Sequence, residues 1–170
     1  MEQGIYNGIS IDVDERGQRG IENFMKGYNC AQSVVMAFAD VFGLTDELAL
    51  RVAASFGAGG GRLRLTCGCV SGMFILAGLE NGPTVAGDID ARTRNYALVQ
   101  ELAACFKAEN DSLICSELLG LRTGKIESPR PSERNAEYYK SRPCSRLTES
   151  ACRIFARHLI GLGGENRELR

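Results

Sequence analysis

The sequence has no tryptophan and a single histidine, His158. The missing tryptophan carries no functional information, but the scarcity of histidine does. No Ser–His–Asp set can be assembled from one histidine near the end of an expected helix. The expected role of His158 is to stabilise a helix C-terminus rather than to ligate or act as a base. Charge of one sign is also lacking: 20 Lys and Arg against 21 Asp and Glu leave a net charge of −1. No bulk attraction for nucleic acid or an anionic membrane follows. The longest apolar run, 69–79, is interrupted by Gly72 and Gly78 and is far too short to span a bilayer. The opening Met1-Glu2-Gln3-Gly4 is not followed by a basic stretch and an apolar core, so no signal peptide is expected and the chain reads as cytoplasmic. There is no Cys-x-x-Cys and no Cys-x-x-Cys-His, which argues against covalent c-type haem. The glycine-rich segment 57–61 lacks the Lys-Ser/Thr of a P-loop, so nucleotide binding is rejected. Its N–H groups could face an anion beside Arg62 and Arg64, but a close-approach loop beside Cys67 is the expected role.

What the chain does have is cysteine: seven in 170 residues, an odd number. At least one cannot pair within the chain. In a reducing compartment a structural disulfide framework is not expected, which leaves catalytic, redox-sensing or metal-binding use, or plain burial.

The hydrophobic pattern is helical almost throughout, and the length suits one core. In 16–28, Ile21, Phe24, Met25 and Tyr28 share a face. Asn29 then caps a helix that begins at Cys30, carries Val34, Phe38, Val41 and Phe42, and stops at Gly43. Thr45 and Asp46 open 45–55, with Leu48, Val52 and Phe56 at helical spacing. Four glycines in 57–61 exclude regular helix there. Thr66 is the expected cap of a helix from Cys67 to about Leu79 that is apolar on every side, hence central and buried. Asp88 or Asp90 opens a helix to about Ala108 with Leu98, Val99, Leu102, Ala103 and Phe106 inward, and Asp111 or Ser112 caps a short helix holding Cys115. The last helix runs from Pro143 or Cys144 to about Leu162, with Leu147, Ala151, Ile154, Phe155 and Leu159 inward. Ile9, Ile11 and Val13 alternate like a strand, but with no partner in view an extended arm is expected.

The expected fold is therefore all-α: a compact bundle of about six helices around a buried central helix starting at Cys67. Residues 1–170 are read as a single helical domain. It has an extended arm at 1–15, an exposed, solvated loop at 121–143 with one short helix near 133–139, and a frayed tail at 165–170.

Cys30, Cys67, Cys115 and Cys144 each fall at or near a helix start, where unpaired N–H groups and the helix dipole favour a thiolate. Cys67 is the strongest of them. Gly68 and Gly72, four apart, leave one face bare, so a backbone, a second thiol or a small ligand could approach; tight helix packing is the plain alternative. Cys105 and Cys152 sit mid-helix and read as core packing. Cys69 is near Cys67 in sequence, but its side chain points about 200° away on an ideal helix.

These segments resemble the C_GCAxxG_C_C proteins, a group called redox-active for its cysteine pattern. The resemblance rests on Gly27-Tyr28-Asn29-Cys30-Ala31-Gln32, on Ala54-Ser55-Phe56-Gly57-Ala58-Gly59-Gly60, on Cys67-Gly68-Cys69-Val70-Ser71-Gly72 and on Cys115-Ser116-Glu117-Leu118-Leu119-Gly120, with Cys144 as the last cysteine. It covers roughly Ile21 to Leu159. It implies Cys30, Cys67, Cys115 and Cys144 as the functional set, and a link to transport systems. Cys69 stands where the family usually has Ala.

Three functions remain open. In the first, a thiol–disulfide oxidoreductase, Cys67 attacks an oxidant or disulfide and Cys30, Cys115 or Cys144 resolves the product, with no cofactor required. In the second, Cys30, Cys67, Cys115 and Cys144 ligate zinc or an iron–sulfur cluster. In the third, a non-catalytic helical accessory protein uses its cysteines for packing. The expected partner is a redox protein or a small molecule; nucleic acid and a membrane span are not expected, and self-association is left open.

Overall fold

The computed structural model describes residues 2–122 and 127–168, with side-chain burial described up to residue 161. The protein is predominantly α-helical, with one small antiparallel hairpin among the described residues.

The hairpin is formed by β1 (Gln3–Tyr6) and β2 (Ile9–Asp12), paired Gln3 to Asp12 and Tyr6 to Ile9. The arm expected over 1–15 is thus not a lone extended segment. Asn7 and Gly8 have positive φ (47° and 82°), the backbone that a two-residue hairpin turn requires. Helix α1 (Val13–Met25) follows at once, its first turn capped by the Asp12 side chain accepting from Glu15 N–H.

Helix α2 (Cys30–Met36) opens with a full capping box: Asn29 accepts from Gln32 N–H and the Gln32 side chain accepts from Asn29 N–H. It stops well short of the expected Gly43. The Ala37 carbonyl accepts from Arg16 Nη1 at 2.6 Å, and the chain continues in three-residue turns (Phe38 N–H to Val35 O, Val41 N–H to Phe38 O). Phe38 and Val41 are buried all the same. Helix α3 (Asp46–Ala53), capped by Thr45, buries Ala49 and Ala53. Leu48, Val52 and Phe56, the apolar series picked out in the sequence, face outward instead, because the small alanine face is the one pressed inward beside α2.

Helix α4 (Gly68–Asn81) is the central helix: it packs on α2, on α5 (Ile89–Asn110) and on α8 (Cys144–Glu168), with residues 68–73 all buried. It begins one residue later than expected. Cys67 is its N-cap residue, and Thr66 forms a β-bridge with Ile114 instead of capping. Two short helices, α6 (Cys115–Leu118) and α7 (Ala136–Ser141), lie between α5 and α8.

Three further expectations change. Cys105 is exposed, not core. The buried residues of α5 (Leu98, Leu102, Phe106, Asn110) recur every four residues, and each such step advances about 40° round a helix, so the buried stripe turns away from Cys105. Cys152 is fully buried, as expected. His158 does not close a helix: α8 continues to Glu168, past the expected end at Leu162 and into the expected tail, while residues 169–170 lie outside the described residues. His158 pairs with Glu80 at 3.1 Å, linking α8 to α4.

Candidate thiol site

Each of the four singled-out cysteines sits at a helix start. Cys30, Cys115 and Cys144 are the first residues of α2, α6 and α8, and Cys67 holds the N-cap position of α4 without a side-chain capping bond. All four are buried and, like the other three, are free thiols.

The packing that gathers them depends on glycine. A Cβ on Gly68 would lie 3.1 Å from Cys30 Cβ and 2.9 Å from Phe56 O; one on Gly72 would lie 2.9 Å from Val34 Cβ. The bare face of α4 therefore receives α2 in close contact and brings Cys30 over its first turn. Both the close approach of a second thiol and the tight helix packing raised by the sequence occur together here.

Residues 57–64 form the second wall. Ala58, Gly59 and Gly61 have left-handed φ and ψ (55°/36°, 72°/42° and 57°/36°), and Gly60, Arg62 and Arg64 also have positive φ. The segment is a left-handed turn, a shape that costs an L-residue about 1–2 kcal/mol per position, which accounts for the glycines. Gly59 has a further reason: a Cβ there would come within 2.7 Å of both Cys115 Cβ and Leu65 N. Ala58 borders the same cavity as Cys30, and its backbone N–H helps to lower the Cys30 pKa. It then leads into paired backbone, with Cys115 N–H donating to Leu65 O at 2.7 Å and Cys67 N–H to Leu113 O at 2.8 Å. The glycine segment thus serves close approach, against Cys30 and Cys115.

Cys30 is the thiol whose surroundings favour the anion. The neighbouring Cys144 thiol and then the Cys69 thiol lower its pKa; burial opposes them; the Ala58 N–H and the charge of Arg134 assist, and the net effect is a pKa well below the usual thiol range. Its neighbours move the other way. Cys144 is raised by donating to Cys30 and by burial, and Cys69 by donating to Cys30 and Cys67. Cys69 has one proton and three candidate acceptors, Cys30, Cys67 and Thr148 Oγ1, the last at 3.5 Å. The Thr148 hydroxyl is already committed to the Cys144 carbonyl at 2.8 Å, so the choice rests with Cys69. A charged acceptor makes the stronger bond, so ionised Cys30 takes it. Burial raises Cys115, partly offset by Arg64, whose Nη1 stands 3.8 Å from the sulfur.

Cys67 is near enough to help raise the Cys69 pKa, where a separation of about 200° was expected. Cys67 has extended backbone (φ −53°, ψ 135°), so helical spacing does not apply to it.

Cys30, Cys115 and Cys144 border one cavity of about 210 Å³, while Cys67 and Cys69 lie outside its lining. Arg62, Arg64, Arg134 and Arg142 also line it, and no carboxylate does among the described residues. Glu127 sits behind, bridging Arg62 and Arg64 at 2.7 Å each. Sequence reasoning missed Cys69 as a partner, and it missed Arg134, Tyr138 and Arg142 inside a stretch read as a solvated loop. Their spacing of four residues is the one signal that pointed to a shared face.

Among the described residues, no group of three or more His, Cys, Asp or Glu side chains is arranged to hold a metal ion. No described helix is long and apolar enough to cross a membrane.

A helical frame that holds clustered thiols, one of them set up as an anion and open to an arginine-lined cavity, defines a thiol-bearing all-α protein. The chain belongs to the C_GCAxxG_C_C family, described as "Putative redox-active protein (C_GCAxxG_C_C)", which matches residues 28–158. No curated protein and no solved structure matches the chain.

Proposed function

We propose that the protein performs thiol–disulfide exchange, with Cys30 as the attacking thiolate and Cys144 as the resolving thiol. The observation that carries this reading is the placement of Cys30: it borders the arginine-lined cavity together with Cys144, and the neighbouring Cys144 and Cys69 thiols pull its pKa down. Cys67, the attacking thiol expected from sequence, lies outside that cavity lining.

The step balances as follows. The Cys30 thiolate attacks one sulfur of a disulfide R–S–S–R, whose S–S bond breaks and releases RS⁻. Cys144 gives its proton to that leaving thiolate, then attacks the Cys30 sulfur of the mixed disulfide and releases the second RS⁻, which takes a proton from water. Two protein thiols are oxidised by two electrons in all, and one disulfide is reduced to two thiols. Cys69 holds the Cys30 anion before attack and takes no part in the bond changes.

The test is single-turnover reaction of the reduced protein with a small disulfide, followed by peptide mapping. A Cys30–Cys144 disulfide is expected, with loss of reaction in Cys30→Ser and its retention in Cys67→Ser. Full reactivity of Cys30→Ser would overturn the assignment.

A further inference from the structure

The four cavity arginines are not alike. Arg62 and Arg64 share Glu127, and Arg62 also donates to Ser128 O. Arg134 and Arg142 have no ion-pair partner among the described residues. Arg134 donates from Nη2 to Tyr28 O at 3.2 Å, but its Nη1 is buried without a hydrogen-bond partner. A buried guanidinium N–H left unpaired is costly. Here it belongs to a side chain that lines the thiol cavity.

Both guanidinium groups are held by stacking. Arg134 lies 4.7 Å from the Tyr138 ring centroid and 4.5 Å from that of Phe24; Arg142 lies 4.7 Å from Tyr138. A stacked guanidinium keeps its N–H fork directed in its own plane, the geometry that matches a carboxylate or another oxyanion. The cavity has room for about seven waters at roughly 30 Å³ each, which suits a compact molecule.

We propose that this cavity selects a small substrate bearing a carboxylate or other oxyanion group, held by Arg134 and Arg142 while Cys30 attacks its reducible sulfur. The inference rests on the exchange chemistry above and names the substrate class it acts on. Binding the anion gives Arg134 and Arg142 an ion-pair partner and places the scissile S–S bond beside the Cys30–Cys144 pair. A cationic disulfide meets like charge on the same wall.

The experiment has two arms. In the first, single-turnover rates are compared for three small disulfides: anionic dithiodiglycolate, neutral bis(2-hydroxyethyl) disulfide and cationic cystamine. The anionic one is expected to react about tenfold faster than the neutral one and cystamine slowest, an order that fades with salt. Arg142→Gln should collapse the order and Arg142→Lys should largely keep it. Arg134→Gln should also collapse it, but Arg134 packs on three rings, so Arg142 is the safer position. In the second arm, iodoacetate and iodoacetamide compete for Cys30, with exposed Cys105 in the same molecule as reference. The iodoacetate share should be higher at Cys30 than at Cys105, and Arg142→Gln should bring the two together. If no disulfide reacts, the exchange reading falls and the alkylation arm still decides the charge selection. Equal rates for the three disulfides, or equal iodoacetate shares at the two cysteines, would overturn the proposal.

Discussion

Replacing Gly68 by alanine tests whether the thiol group depends on the contact between α2 and α4. A Cβ at this position would stand 2.9 Å from Phe56 O, 3.1 Å from Cys30 Cβ and 3.2 Å from Ala31 N. Comfortable carbon contacts begin near 3.5 Å, so α2 must retreat by about half an ångström. Two of the three obstructing atoms are backbone and the third is the Cβ next to one, so no side chain can swing clear. Overpacking of this kind costs about 1–3 kcal/mol. The better helix propensity of alanine returns about 0.5–1 kcal/mol, leaving a net loss of about 1–2 kcal/mol. Gly78, on the same helix, provides the control: nothing lies within 4 Å of a Cβ built there, so Gly78→Ala should gain about 0.5–1 kcal/mol. The two variants should differ by about 2 kcal/mol in urea unfolding under reductant, or by several degrees in melting temperature. Gly68→Ala should also draw Cys30 away from the Cys69 thiol and slow its alkylation at neutral pH. A Gly68→Ala protein as stable as Gly78→Ala, with Cys30 reactivity intact, would refute the packing argument.

Cys144→Ala should raise the Cys30 pKa, because its largest stabilising contact is lost; the pH profile of Cys30 alkylation moves upward and the rate at pH 7 falls about tenfold. An unmoved profile would mean that Cys144 does not support the anion. Asp40 titrates below its usual value: burial pushes it up, but Arg16 and Arg19 outweigh that. Its contribution is therefore present above the unfolded value near 3.8 and is lost as pH falls through the depressed one. Asp40→Asn should flatten that acid limb in a pH series of unfolding. It should also cost about 2 kcal/mol at pH 7, since Arg16, only 2% exposed, then holds an unpaired charge. Burial pushes the Cys152 thiol up, so mass spectrometry after iodoacetamide treatment should find it unmodified until the protein unfolds, well after exposed Cys105. Labelling of Cys152 in the folded protein would contradict its burial against Gly20 of α1.

What could be read in the sequence was local. The caps Asn29, Thr45 and Asp88 lie where a short polar side chain precedes an apolar period, and each accepts the expected N–H. The cysteines at helix starts were visible for the same reason. Relations set by tertiary packing were not. That Cys30 meets Cys144 depends on α2 and α8 converging on α4, and no periodicity encodes it. The glycines at 57–61 announced an absence of ordinary helix but not its handedness, which follows from the contacts of Gly59 with Cys115 and Leu65. Arg134 and Arg142 looked like solvated charge because stacking on Tyr138, not composition, holds them at the cavity. The hairpin was legible and overlooked: Asn7-Gly8 is a strong two-residue turn signal, but only one of its strands alternates. For α3 the opposite holds, since its largest apolar residues face outward and its alanines inward.

The left-handed turn at Ala58 has a consequence for how durable the site is. Of the Cys144, Cys69 and Ala58 groups that favour the Cys30 anion, two are thiols, which oxidation or a single substitution removes. The third is a main-chain amide, which does not titrate, has no oxidation states of its own, and survives every exchange of the Ala58 side chain except proline. As Cys144 changes state during exchange, this amide stays as it is. The chain accepts an unfavourable backbone at Ala58 and, with it, secures a contact that mutation can scarcely reach.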